Sequence, residues 1–134
     1  MTPVEMRLDV ARAIIESLPN GDPTRAERMV HPDVELHDAW AVGAGTYQGL
    51  SGLRQLYRDF ASAWEDFSLD FVELEPIADE RVFMTARQRA RRRGNGRVSE
   101  RTIYFLLAFR DHKLVSLDGW HVCSVARDVA GLTD

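Results

Sequence analysis

The chain has 134 residues, 45% hydrophobic and 28% charged, with 17 basic against 21 acidic side chains and a net charge of -4. That length suits one domain (1–134) with one core, and the acidic balance argues against nucleic acid or an anionic membrane as partner. The one cysteine, Cys123, cannot form an intramolecular disulfide, and neither a leader-like apolar stretch nor a run near the ~20 residues of a membrane span is present, so a cytoplasmic protein is expected.

Residues 3–18 read as a helix. Thr2 fits the N-cap, Pro3 suits the first helical position, and Val4, Leu8, Ala11, Ile15 and Leu18 share one face. Pro19-Asn20-Gly21 breaks it. A second short helix over 22–30 starts at Asp22-Pro23, and Pro32 ends it. A strand follows over 33–38, with Val34 and Leu36 on its apolar face and Asp38 at its end. The loop 39–50 holds Gly43, Gly45 and Gly49, with Trp40 and Tyr47 between them. Ser51 is expected to cap a helix over 51–64, whose apolar side is Leu53, Leu56, Tyr57, Phe60 and Trp64. Four strands are then predicted over 67–75, 80–92, 98–110 and 113–122, and a last helical turn or two from Ser124 to Ala130, ended by Gly131. Strands grouped after helices argue for α+β with a mixed or antiparallel sheet, covered by helices on one face.

Turn chemistry sets the expected register. Asn95-Gly96 reads as a two-residue hairpin loop with Gly94 opposite Arg97. One face then carries Val82, Met84, Ala86, Gln88 and Ala90 with Ile103, Phe105, Leu107 and Phe109. This face should meet the helices, with Gln88 its polar exception. The other carries Phe83, Leu106, Ala108 and Tyr104, an apolar patch suited to a homodimer interface, and Arg87, Arg89 and Arg91. The arginine run reads as solvated, partly paired strand residues, or as a basic rim attractive to an acidic substrate or carrier protein. For the last strand a three-residue loop at Arg110-Asp111-His112 puts Val115, Leu117, Gly119 and His121 inside. A two-residue loop puts Leu114, Ser116, Asp118 and Trp120 there. The apolar pattern favours the first.

Several segments together carry a resemblance: His31-Pro32-Asp33-Val34-Glu35-Leu36-His37-Asp38, the run Gly45-Thr46-Tyr47-Gln48-Gly49-Leu50-Ser51-Gly52-Leu53-Arg54, Ala63-Trp64-Glu65-Asp66-Phe67, the arginine/glycine hairpin, and Phe109-Arg110-Asp111-His112-Lys113-Leu114-Val115. In this order and spacing the chain resembles the SnoaL-like branch of the NTF2-like superfamily. The resemblance implies an α+β cone: a curved sheet wrapped around about three helices and enclosing a pocket. That superfamily includes ketosteroid isomerases, polyketide cyclases, epoxide hydrolases and dehydratases, along with proteins that only bind or scaffold. Asp38 falls where ketosteroid isomerase has its proton-shuttling base. The tyrosine of that enzyme's first helix has no counterpart here, because Ile14 and Ile15 occupy the region.

The candidate chemistry follows. Asp38 would move a proton, since an apolar pocket raises a carboxyl toward neutrality. His121 is its expected acid partner, with His121 or Gln88 holding a developing oxyanion. Trp40, Tyr57, Phe60, Trp64, Met84 and Phe105 are candidate substrate walls, each equally suited to plain core packing. Neighbouring His37 and Asp38 point to opposite strand faces, so no metal is expected, and no cofactor motif is present. The leading expectation is a cofactor-independent isomerase, cyclase or dehydratase acting on a small apolar or aromatic carbonyl-containing ligand. The alternative is a non-catalytic binder of a hydrophobic ligand, or a dimeric interaction module.

Overall fold

Pro3 opens a helix because its missing N–H is one the first turn would leave unpaired, and the Thr2 hydroxyl accepts from Glu5 N at 3.1 Å. This helix, α1 (Pro3–Ser17), passes through a 3-10 turn at Leu18–Asn20 into Gly21, whose φ of 69° ends the segment. The computed structural model describes residues 2–37, 45–77 and 80–132. After α1 come α2 (Thr24–Glu27), β1 (Val30–His37), β2 (Thr46–Gln48), α3 (Gly49–Ala63), β3 (Trp64–Ile77), β4 (Arg81–Arg92), β5 (Val98–Arg110), β6 (Lys113–Trp120) and α4 (Cys123–Ala130). None of the described helices is long and apolar enough to cross a membrane.

The strands make one mixed sheet in the order β2-β1-β6-β5-β4-β3, in which only β1 and β6 run parallel. With its helices this is the α+β cone of the NTF2-like fold, as the sequence led one to expect. The inner face buries Val34, Leu36, Val82, Met84, Ala86, Ile103, Phe105 and Leu107 against Ala11, Ile14, Ile15 and Leu18 of α1 and Leu53, Leu56, Tyr57 and Phe60 of α3. At ~25 cal/mol per Å² of apolar area, this face is the fold's main source of stability. One polar pair joins the two helices inside it: the hydroxyls of Ser17 and Tyr57 bond each other, and the Tyr57 hydroxyl donates to Ile14 O at 3.2 Å.

The structure corrects the sequence reading in several places. The β4–β5 turn spans four residues rather than two. Met84 pairs with Phe105 and Arg89 with Glu100, and Arg92 N donates to Arg97 O at 2.9 Å. Gly94 and Gly96 take φ of 94° and 65°, and Arg93 is drawn out of the hairpin to the end of α3. There its N–H meets Ala63 O at 3.0 Å and its Nε meets Ala61 O at 3.1 Å. A donor-rich arginine suits the unpaired carbonyls of a helix C-terminus. The register moves by two residues, an even number, so every side chain keeps its expected face.

The β5–β6 turn is the two-residue form, with Arg110 opposite Lys113 and both Asp111 and His112 left-handed at φ 53° and 66°. An irregularity at Val115 then restores the other register, so Leu107 opposes Leu117 and Phe105 opposes Gly119. Helix α3 begins at Gly49 rather than at Ser51, and no side chain caps it. Gly52 is required there, because a Cβ would lie 2.9 Å from the Tyr47 carbonyl carbon. The short strand β2 lies inside the stretch expected to be loop.

Helices are not confined to one face. The C-terminal helix α4 crosses to the outer face and buries Phe83, to 2% exposure, against Ala126 and Ala130, with Tyr104, Leu106 and Trp120 packed around them. The apolar patch expected to pair two subunits is therefore largely occupied by the chain's own last helix. A homodimer through this face would have to use what α4 leaves exposed.

Candidate functional site

Beyond the packed centre, the inner face continues toward the β4–β5 turn. Alternation along β4 places Gln88, Ala90 and Arg92 on this face after Met84 and Ala86. Directly across on β5, Arg101 opposes Gln88 and Ser99 opposes Ala90. On the other side Trp64, the first residue of β3, opposes Arg92. These residues, with Asn95, Arg97 and Val98 of the hairpin, border a cavity of about 520 Å³. That is within the ~300–1,000 Å³ typical of small-molecule sites.

Its floor is buried and its rim is exposed. Gln88 is 4% exposed, and its side-chain oxygen accepts no hydrogen bond among the described residues. The Trp64 indole N–H is likewise buried without an acceptor. Two such atoms on residues that border one cavity are unusual, because a buried polar atom without a partner costs ~1–3 kcal/mol. Trp64 is held by its neighbours: its ring lies 5.9 Å from that of Phe67, which meets Phe60 edge-on at 4.5 Å. The Arg92 guanidinium sits over the same indole, 5.5 Å from its centre. Among the described residues the rim carries the guanidiniums of Arg92, Arg97 and Arg101 and no carboxylate. A smaller space of about 70 Å³ lies behind Trp64, bordered by Pro19, Phe60, Ala61, Phe67 and Arg93.

The residues singled out from sequence divide into groups. Gln88 and Trp64 come together at the cavity. Tyr57, Phe60, Met84 and Phe105 are fully enclosed at 0% exposure, so they pack as core. Burial pushes the Tyr57 hydroxyl up to about 12. His121 is exposed, just past the end of β6, and does not border this cavity. Asp38 and Trp40 lie outside the described residues. His37, at the end of β1, is half-buried, with Nε2 3.1 Å from Glu35 and Nδ1 3.0 Å from the Thr46 hydroxyl. Tyr47 covers the core edge and donates to Asp59 at 2.6 Å. Among the described residues no cluster of three or more His, Cys, Asp or Glu is placed to hold a metal.

From sequence, Arg92 is part of the run Arg87, Arg89, Arg91, Arg92 and Arg93 and is not separated from its outer-face neighbours, while Arg97 and Arg101 are not singled out as site residues. The usable signal was parity: even-numbered residues of β4 and odd-numbered residues of β5 share the face of Gln88.

A family model described as a SnoaL-like domain matches residues 11–117. No curated protein matches the chain. Among solved structures, an NTF2-like protein of unknown function from Burkholderia pseudomallei superposes with a TM-score of 0.74 at 17% identity, covering 96% of this chain and 97% of that one. TerC, co-crystallised with polyporic acid, gives 0.72 at 16%, covering 94% and 98%. The epoxide hydrolase/cyclase-like enzyme SalBIII, from pyran ring formation in the polyether salinomycin, gives 0.72 at 13%, covering 90% and 93%. At these identities the likeness is one of fold.

Proposed function

Because the chain belongs to the SnoaL-like family of the NTF2-like superfamily, whose fold serves cyclases and isomerases, we propose that it binds a small organic molecule in the cavity floored by Trp64 and Gln88. The observation that carries this reading is the pair of buried polar atoms, on two residues that border the cavity, that have no partner among the described residues. A ligand oxygen can accept from the Trp64 indole, and a ligand hydroxyl or amide can donate to the Gln88 oxygen. Either bond would recover a desolvation cost that the empty site carries.

A narrower proposal is proton-transfer catalysis on a carbonyl-containing ligand, of the isomerase or cyclase kind, with Asp38 as base. At this cavity the donor to an oxyanion would be the Trp64 indole N–H, or the Gln88 amide if its nitrogen faces the ligand, rather than His121, which does not border the cavity. Asp38→Asn separates the two: a catalyst loses turnover with ligand affinity kept, whereas a binder shows no turnover in either form and keeps its affinity.

The binding proposal is tested by NMR with a library of small aromatic carbonyl compounds, charged and neutral. The Trp64 indole N–H signal is assigned by Trp64→Phe and the Gln88 side-chain signals by Gln88→Leu. Saturable shifts of both signals with at least one compound are expected. Bound compounds that leave both unmoved, or a library that moves neither, would overturn it.

A further inference from the structure

Strand β4 carries arginines on both faces, and the two faces treat them differently. On the outer face, Arg87 sits opposite Asp70, Arg91 sits opposite Asp66, and Arg89 pairs with Glu100 at 3.2 Å. Each outer arginine thus has an acid directly across the sheet. On the cavity side, Arg92, Arg97 and Arg101 have no carboxylate on the lining and no ion pair among the described residues. This happens in a chain with 21 acidic and 17 basic side chains, so composition does not force it.

Like charges brought together repel, and among the described lining residues no carboxylate offsets that cost. Arg92 is also fixed over the Trp64 ring, which orients its fork before any ligand arrives. Below the rim lie the buried Gln88 amide and the Trp64 indole N–H, and Val98 adds apolar surface. Three guanidiniums bordering a partly apolar cavity, that of Arg92 held over the indole, match a ligand with a hydrocarbon body and a forked anionic end.

We propose that the cavity selects an organic anion, a planar carboxylate, over neutral molecules of the same shape, a refinement that rests on the cavity being the binding site. The carboxylate would meet Arg97 and Arg101 in the rim, and its ring would lie against Trp64 and Val98. The anion would supply for these arginines what Asp66, Asp70 and Glu100 supply on the other face.

The test is a matched pair of probes, 2-naphthoate and 2-naphthamide, titrated into the full chain while the Trp64 and Gln88 NMR signals are followed. The naphthoate is expected to bind at least tenfold tighter than the amide. Arg97→Gln with Arg101→Gln should remove that preference, and 0.5 M NaCl should shrink it. Both substitutions are at exposed rim positions, so the fold is expected to survive, and the unchanged dispersion of the remaining NMR signals checks this. Equal affinities, or a naphthoate preference that survives the double variant, would overturn selection for anions while leaving the binding proposal standing. So would failure of both probes when neutral library compounds still move the Trp64 and Gln88 signals. If no compound of any charge moves them, the binding site itself is misplaced and this inference falls with it.

Discussion

Gln88→Leu is expected to stabilise the free protein. Gln88 is enclosed to 4% exposure between Leu69 on β3 and Arg101 on β5, and its oxygen lacks a donor among the described residues. Leucine has nearly the same bulk and removes the amide. Relief of a buried unsatisfied group is worth about 1–3 kcal/mol, less whatever bond the amide nitrogen loses, so a gain of about 1–2 kcal/mol is expected. For a chain of 134 residues, an unfolding entropy of ~2.1 cal/mol/K per residue converts this into a midpoint rise of roughly 4–7 °C. Differential scanning calorimetry and urea titration of wild type and variant measure it. The same variant should lose ligand affinity, the usual opposition of stability and function at a binding site. A variant less stable than wild type would refute the reasoning, because it would mean that the Gln88 amide is bonded within the fold and serves structure.

Other consequences concern the scaffold. Tyr57→Phe should cost about 0.5–1.5 kcal/mol near neutral pH through loss of its hydroxyl bonds. Its folded-state value is raised from 10.0 to about 12, so the stability tied to the neutral phenol is complete below pH 10 and lost as pH rises through about 12. Wild-type stability should therefore fall faster than the variant's across that window, as read by urea titrations at stepped pH; parallel pH profiles would contradict this. Gly52→Ala should cost about 1–3 kcal/mol and loosen the Tyr47–Asp59 bond, since the added methyl meets the Tyr47 backbone at 2.9 Å. A wild-type thermal midpoint for that variant would show the contact to be soft. Ala126→Asp puts a charge where α4 is 0% exposed against Phe83, and should release the helix from the sheet. Stronger binding of an apolar dye and a larger mass by light scattering are expected, while an unchanged mass and dye signal would mean that α4 contributes little cover.

Much of the architecture was legible because it rests on periodicity. The order of helices and strands, the buried face of β4 and β5, and the caps at Thr2 and Gly131 all follow from local pattern. Turn chemistry was less dependable. Asn95-Gly96 suggested the tightest loop, yet Arg93 is captured by the carbonyls ending α3, a tertiary contact that no local signal contains. The faces survived only because the register moved by two. In the last strand the apolar pattern and the tight turn were each half right, and the irregularity at Val115 reconciles them. The outer-face patch Phe83-Tyr104-Leu106 was visible, but its occupant, an eight-residue helix far along the chain, was not matched to it.

Gln88 stood out from sequence as the polar residue on an apolar face. Trp64 also stood out as a candidate wall, but Asn95, Arg97, Val98, Ser99 and Arg101 did not, because they come from a turn and a different strand. The arginine cluster was blurred because Arg87, Arg89, Arg91, Arg92 and Arg93 read as one charged run, whereas alternation puts Arg87, Arg89 and Arg91 on the outer face and Arg92 at the cavity. Tyr57, Phe60, Met84 and Phe105 show the converse: aromatic and sulfur side chains at helical or strand spacing fitted a pocket wall and core packing equally, and burial decided for the core.

The most direct test of the binding site is a crystal structure of the protein with the tightest compound from the library screen. The compound is expected in the cavity, with oxygen atoms within hydrogen-bond distance of the Trp64 indole N–H and the Gln88 amide, and with Arg92 still over the indole. A compound seated elsewhere, with the Gln88 amide turned to bond a group of the protein, would contradict it.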